Sequence, residues 1–198
     1  MIKINIEDKK YEMPSSYSEL TLGKFMDITN IINKQSEYDS PTKYTIDLLS
    51  KTMGCPTDIL LSLDMDDLSI LLKELEWLKK TPKKKSTTKF KIDDVEYGLV
   101  PNKKITTGEM ISIESFHKND LHNDGNIHLI MAILFRPIQD GKIIPLENDY
   151  DEVLKRAELF KQKLIIEEVY GPLANFTNLG RGSTKKSSVG FSKLKIER

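Results

Sequence analysis

The chain contains a single cysteine, Cys55, and no run of apolar residues longer than seven. One cysteine excludes a disulfide within the chain and a cysteine-rich zinc site. The longest apolar run, residues 129–135, is far shorter than the roughly 20 residues that a membrane-spanning helix needs. The first residues alternate apolar and polar and lead into acids, so they do not predict a signal peptide. These absences favour an intracellular protein without a membrane partner.

Motifs for catalysis and cofactor binding are also missing. Gly180 and Gly182 follow no predicted strand, so they do not form a phosphate-binding loop, and no Gly-x-Ser-x-Gly sequence is present. His117, His122 and His128 are five and six residues apart, which does not place two of them on one helical face as a metal-binding pair requires. The sequence therefore predicts no catalytic residue, no metal site and no cofactor, and we expect a protein that is not an enzyme.

Acidic and basic residues are balanced over the chain, with 30 of each, but they are unevenly distributed. Residues 1–78 carry 14 acids and 8 bases, and residues 92–170 carry 15 acids and 9 bases. Residues 79–91 carry seven lysines and no acid, and residues 171–198 carry six bases and one acid. Each acidic stretch is thus followed by a basic one. This pattern indicates either contact surfaces between like subunits or a solvated linker and tail.

The lysines of residues 79–91 raise the question of nucleic acid, because clustered lysines contact phosphates. The segment lacks the interleaved aromatic side chains on which single-stranded bases stack. The acidic stretches on both sides would also repel a polyanion. The sequence therefore does not favour nucleic acid as a partner.

The two halves of the chain resemble each other in sequence. Residues 3–11 align with residues 89–97, because both begin with a lysine, alternate polar and apolar residues, and then have two acids and a tyrosine. Residues 20–28 align with residues 105–113 through a shared threonine and glycine within an apolar pattern. Self-similarity of this kind predicts two copies of one structural unit, and a duplicated unit without catalytic motifs favours a scaffold or assembly role.

Local patterns predict the elements of each half. Alternating apolar and polar residues predict a β-hairpin, and a helical period predicts three helices after it. Thr106 and Glu109 have the spacing of a capping box, whereas Thr21 is followed by Lys24 and should form a weaker cap. Pro137 is expected to end a helix, and Asp140-Gly141 indicates a tight hairpin. The later helices are predicted over residues 42–53, 66–80, 126–135 and 151–169.

The predicted fold class is therefore α+β and predominantly helical, with two tandem copies of a hairpin and three-helix unit packed together. We expect the first unit over residues 1–80, a linker over residues 81–88 and the second unit over residues 89–170. Periodicity is lost after residue 170, and the composition becomes rich in glycine, serine and lysine. Residues 171–198 are accordingly expected to form a flexible basic C-terminal arm.

The order of several segments resembles a family of small proteins of tailed bacteriophages, of the kind found among crAss-like and related phages. The resemblance rests on residues 20–25, 53–56 and 75–78, the linker of lysine and proline, and a second hairpin followed by Thr-Gly-Glu-Met-Ile. It covers roughly residues 1–170. It implies either a virion component near the portal and tail or a tail-assembly chaperone, and it carries over no site residues.

The leading hypothesis is a virion structural protein, present in several copies as a ring or tail component near the portal–tail axis. Its partners would be copies of itself and other phage structural proteins of the portal or tail. The alternative is a tail-assembly chaperone that is absent from the mature particle. The residues expected at subunit contacts come from the linker and the arm and are Lys83, Lys84, Lys85, Phe176, Arg181, Lys185, Lys186 and Phe191.

Overall fold

A computed structural model of the protein describes residues 1–118, 126–146 and 150–179. Helices dominate the described chain, and the fold class is α+β. The elements in chain order are β1 (Ile2–Ile6), β2 (Lys9–Met13), α1 (Leu22–Asn33), α2 (Pro41–Met53), α3 (Thr57–Leu61), α4 (Met65–Glu74), β3 (Lys89–Ile92), β4 (Val95–Leu99), α5 (Thr107–Lys118), α6 (Ile127–Leu134), β5 (Phe135–Gln139), β6 (Lys142–Ile143), α7 (Tyr150–Lys163) and α8 (Ile166–Leu179).

The described strands form two antiparallel sheets, a ribbon of β1 and β2 and a sheet in the order β3-β4-β5-β6. The hairpin turns rest on acidic residues with left-handed backbone, Glu7 and Asp8 in the first and Asp93 in the second. Asp140 and Gly141 have φ values of 49° and 72°, as a two-residue turn between twisted strands requires. The hairpins predicted from the sequence are confirmed.

Helix starts also follow local chemistry. Thr21 Oγ1 accepts a hydrogen bond from Lys24 N at 3.3 Å, which caps α1. Thr106 Oγ1 accepts from Glu109 N at 3.3 Å, and Glu109 Oε2 accepts from Thr106 N at 2.8 Å. The capping box predicted for α5 is therefore confirmed, and each partner satisfies one backbone amide that the helix leaves unpaired.

The predicted single helix over residues 151–169 is wrong. Helix α7 ends at Lys163, and a separate helix, α8, begins at Ile166. Between them, residues 164–166 run antiparallel to residues 20–22, joined by two backbone hydrogen bonds of 2.7 and 3.0 Å. These bonds hold the segment extended, so the helical ladder cannot pass through it.

Two other helix ends differ from the prediction. Helix α4 ends at Glu74, and a short 3-10 helix, Glu76–Lys79, replaces its expected last turns. Pro137 does not end α6 but lies inside β5, because α6 ends at Leu134 and the chain passes directly into the strand. Leu134 O accepts a hydrogen bond from Val100 N at 2.8 Å, so pairing with the end of β4 takes over from the helix.

The flexible arm expected over residues 171–198 is incorrect for residues 171–179, and the rest of that arm lies outside the described residues. Helix α8 continues through Gly171 and Pro172 to Leu179. Pro172 cannot donate the helical backbone bond at its position, which explains why the sequence suggested a break. Leu173 is nonetheless 5% exposed, so its burial favours continuation of the helix.

The two halves begin with the same elements and then diverge. Each starts with a hairpin, a 3-10 helix and two α-helices. The first half continues with α3 and α4, whereas the second half continues with β5, β6, α7 and α8. Each half thus has four described α-helices, whereas the predicted unit has three; in the first half the additional helix, α3, lies where Pro56 and the residues after it predict a short helix. Because β5 pairs with β4, the second hairpin becomes part of a four-stranded sheet.

One hydrophobic core runs through both halves. Helix α1 packs on α6 and α7, so an element of the first half lies against elements of the second. The largest side chains that are fully buried come from both halves and include Met13, Leu20, Leu22, Leu49, Met131, Phe135, Phe160 and Leu164.

Gly23 and Gly108 occupy the same place in the first turns of α1 and α5 but have different surroundings. A Cβ on Gly23 would lie 2.8 Å from Lys161 O, whereas a Cβ on Gly108 would have nothing within 4 Å. We expect Gly23→Ala to lower the free energy of unfolding by about 1–3 kcal/mol, because α1 must move away from α7. Gly108→Ala should raise it by about 0.5–1 kcal/mol, as alanine does in an open helix. Urea denaturation of both variants measures the difference, and equal effects would contradict this packing.

Candidate subunit-contact site

The linker, residues 81–88, has no regular secondary structure but is held against the body of the protein. Pro82 is buried near its start. Lys85 Nζ lies 3.0 Å from Glu167 Oε2 of α8, and Thr88 O accepts a hydrogen bond from Leu99 N at 2.8 Å near its end. The linker therefore follows a defined path rather than swinging between the two halves.

The backbone of the linker crosses α8 at Gly171. A Cβ at this position would collide with the carbonyl oxygen of Lys85, so only glycine allows the crossing. Beside the crossing is a groove of about 280 Å³, whose walls are residues 84–88, Leu99, Gly171 and Pro172. The sequence predicts that an irregular arm begins at Gly171. In the structure, the lack of a side chain at Gly171 allows the backbone of α8 to lie close to the backbone of the linker.

Tyr17 anchors the segment that enters the linker. Its hydroxyl donates a hydrogen bond to Leu78 O at 3.2 Å, and its ring meets Trp77 edge-on at a centroid distance of 4.8 Å. Burial raises the pKa of Tyr17 to about 12, with a smaller contribution from the nearby phenol of Tyr170 in α8. The phenol thus stays protonated and keeps the donor that holds the start of the linker.

Lys83 and Lys84 form what we call the lysine ridge. Both residues are exposed, and among the described residues no carboxylate lies within ion-pair distance of either amine. By contrast, Lys79 Nζ lies 3.1 Å from Glu76 Oε1, and Lys85 is paired with Glu167. Two cations of the linker are therefore available to a partner.

The structure brings together only part of the predicted contact set. Lys83, Lys84 and Lys85 lie side by side on the linker, although Lys85 is already engaged within the chain. Phe176 belongs to the last turns of α8 rather than to an irregular arm. The remaining predicted residues, Arg181, Lys185, Lys186 and Phe191, lie outside the described residues.

Two buried arginines that the sequence patterns did not reveal surround the end of α6. Arg156 Nε donates to Ala132 O at 3.0 Å, and Arg136 Nε donates to Ile133 O at 3.0 Å. Arg136 Nη2 lies 2.8 Å from Glu109 Oε1, the same carboxylate that caps α5. Cations suit the carbonyl end of a helix, so this cluster caps α6 and links it to α5 and α7. An arginine directly after an apolar helix is the sequence signal that could have revealed it.

The histidines do not assemble into a site within the described chain. His128 is half-buried in α6, the side chain of His117 is not described, and His122 lies outside the described residues. No group of three His, Cys, Asp or Glu side chains in the described segments is arranged to hold a metal ion. In the same segments, no helix combines the length and the apolar character needed to cross a membrane.

Comparisons of the chain with models of protein families, with curated proteins and with solved structures found no match.

The raised pKa of Tyr17 predicts a loss of stability at alkaline pH. Below pH 10 its phenol is protonated in both states, but above pH 10 the unfolded chain releases the proton while the folded chain retains it until about pH 12. Between pH 9 and 11 the free energy of unfolding of the wild type should therefore fall by about 1 kcal/mol more than that of Tyr17→Phe. Urea denaturation at both pH values measures this. Tyr150→Phe, at a position that is 56% exposed, is the control and should behave like the wild type.

Because the linker crosses α8 at Gly171, we expect that a methyl group added at this residue will displace the linker from α8. Gly171→Ala must displace Lys85 and break its ion pair with Glu167. We expect trypsin to cleave after Lys83 and Lys84 at least roughly tenfold faster than in the wild type, because a displaced segment enters the protease more easily. Gly108→Ala provides the control, and an unchanged rate in Gly171→Ala would show that the linker is not held there.

Proposed function

We propose that the protein is a structural component of a bacteriophage particle, present in several copies as a ring or tail component near the portal–tail axis. It acts through protein–protein contacts with copies of itself and with portal or tail proteins. The observation that carries this proposal is the lysine ridge, since Lys83 and Lys84 are exposed and unpaired among the described residues on a linker held in place. A fixed pair of cations suits a specific contact better than a mobile one, because less side-chain and backbone entropy is lost on binding.

A complementary surface lies at the start of α4. Asp64, Asp66 and Asp67 are exposed there, and Asp64 caps the helix by accepting from Asp67 N at 2.8 Å. Exposed apolar side chains lie along the same region. They are Leu61, Met65 and Ile70, which are 67%, 63% and 56% exposed. We call this set the α4 surface, and it offers both negative charge and apolar area to a neighbour.

Contact between the lysine ridge of one copy and the α4 surface of the next joins two different patches. Such a heterologous contact produces a closed ring when the rotation between copies closes, and an open filament when it does not. Exposed ion pairs contribute only about 0.2–1 kcal/mol each, so the apolar side chains of the α4 surface would supply most of the affinity. The lysines would mainly set orientation and the rate of association.

We also infer that the two halves arose by tandem duplication of one unit. Support comes from the shared order of hairpin, 3-10 helix and helix, and from the threonine caps Thr21 and Thr106. The paired acids at the two hairpin turns add to it. In this proposal the two copies diverged in structure after the duplication. The difference begins after the second helix of each half, where the second half has β5 and β6 and the first half has α3.

The second candidate function is a tail-assembly chaperone that is absent from the mature particle. The exposed apolar side chains of the α4 surface favour it, because a holding protein needs an apolar surface for an incomplete partner. Mass spectrometry of purified particles separates the two candidates, since only a virion component remains in them.

The contact proposal is tested by charge reversal in a phage that encodes this protein. Lys83→Glu with Lys84→Glu should lower the amount of protein in purified particles by roughly tenfold, equivalent to about 1.4 kcal/mol of binding free energy. The amount is measured by quantitative mass spectrometry against the major capsid protein. Lys103→Glu with Lys104→Glu is the matched control, because these adjacent lysines are also exposed and the change in net charge is the same.

Three results would decide between the proposals. Loss of incorporation in the first pair but not in the control supports the lysine ridge as a contact. Equal incorporation of both pairs contradicts it. Absence of the wild-type protein from purified particles overturns the virion role and favours the chaperone.

A further inference from the structure

One short sequence pattern occurs three times in the chain. Residues 3–7, 89–93 and 193–197 each read lysine, apolar residue, lysine or asparagine, isoleucine and acid. The first occurrence lies in β1 and its turn, and the second lies in β3 and its turn. The third lies near the end of the chain, outside the described residues. Its alternation of Leu194 and Ile196 with lysines is typical of a strand with one buried face.

The ribbon of β1 and β2 has an open edge where the second sheet has a strand. A two-residue turn makes Ile6 and Lys9 a hydrogen-bonded pair, so the backbone groups of Lys10 and Glu12 point away from β1. Both residues are exposed, and among the described strands none pairs with β2 on the edge that faces away from β1.

The equivalent edge of the second sheet is occupied. Gly98 of β4 lies opposite Arg136 of β5, and Val100 N donates to Leu134 O at 2.8 Å. Gly98 is buried, whereas Glu12 at the corresponding position of β2 is exposed. The outer edge of β2 in the first hairpin therefore corresponds to the edge of β4 that pairs with β5 in the second. Among the described residues, no strand pairs with that edge of β2.

We propose that residues 193–197 of a neighbouring copy add a third strand to β2. This inference rests on the proposed function, since it requires several copies in one assembly. Leu194 and Ile196 would continue the apolar face of the ribbon beside Tyr11 and Met13, which face the core. Lys193 and Lys195 would then lie on the solvent face, where Glu12 of β2 offers the opposite charge.

Chain length allows the strand to come from a neighbour. Thirteen residues, 180–192, lie between Leu179, the last described residue, and Lys193, so the chain makes fourteen residue steps from one to the other. An extended chain of this length spans up to roughly 46–50 Å, which is more than the diameter of a small domain. Backbone hydrogen bonds supply affinity in such strand addition, and the alternating side chains supply register. Repeated from copy to copy, the exchange would link the subunits of a ring.

Cross-linking between separately produced full-length chains tests this geometry. Cys55, the native cysteine, is buried and is first replaced by alanine in both chains. One chain carries Glu12→Cys, and the other carries Lys195→Cys and a tag that changes its mass. After mixing under a mild oxidant, the mixed disulfide on a denaturing gel should exceed the control yield by roughly tenfold.

The control is Lys3→Cys in place of Glu12→Cys. Lys3 lies opposite Glu12 in the ribbon but belongs to β1, which forms the other edge. A cysteine at position 3 therefore detects a strand beside β1, whereas a cysteine at position 12 detects a strand beside β2. Leu194→Asp with Ile196→Asp in the tagged chain should reduce the yield to the control level. Equal yields from both edges, or a disulfide that forms only when both cysteines are in one chain, would overturn the proposal.

These outcomes separate this inference from the proposed function. In one outcome the mixed disulfide does not form, but the protein is present in particles and the lysine-ridge reversal lowers its incorporation. Strand addition is then wrong, and the virion role stands. In the other outcome the mixed disulfide forms, but the protein is absent from purified particles. Copies of the chain then do exchange strands, and the virion role is wrong.

Discussion

Two backbone hydrogen bonds between the start of α1 and the segment after α7 hold the halves of this protein in place. Leu22 N donates to Leu164 O at 2.7 Å, and Ile166 N donates to Leu20 O at 3.0 Å. All four of these side chains are fully buried, so an unmade bond would leave an amide and a carbonyl without water and cost about 1–3 kcal/mol for each group. The bridge therefore joins residues about 140 positions apart through backbone groups that lie among buried side chains.

The position of the linker follows from this bridge. Because the bridge ends α7, it sets where α8 begins and which of its residues meet the linker. Glu167 then pairs with Lys85, and Gly171 passes beneath the backbone of Lys85. Tyr170 of the same helix lies near Tyr17, whose hydroxyl holds Leu78 at the entry to the linker. The position of the lysine ridge on the surface thus depends on contacts between the linker and α8, a helix about 80 residues further along the chain.

The candidate site was only partly visible in the sequence. A run of lysines between two acidic stretches predicted an exposed cluster of positive charge, and local charge was sufficient for that; its role as a contact surface stays a prediction. It did not show that Lys85 is engaged by Glu167 whereas Lys83 and Lys84 have no described partner, because that distinction depends on the path of α8. Nor did it reveal the buried arginines at the end of α6. Arg156 reaches Ala132 O, 24 residues away, only where α7 packs on α6, and Arg136 reaches Ile133 O because α6 ends at Leu134.

By itself the sequence determined the features whose physical cause lies within a few residues. The turns at Glu7-Asp8 and Asp140-Gly141 and the capping box of Thr106 and Glu109 are of this kind, since donors and acceptors are near neighbours in the chain. Tertiary structure alone decided where long helical patterns stop. The periodicity of residues 151–169 is continuous, and only pairing with residues 20–22 interrupts it. Local propensity amounts to a few tenths of a kcal/mol per residue, so buried long-range hydrogen bonds and packing override it.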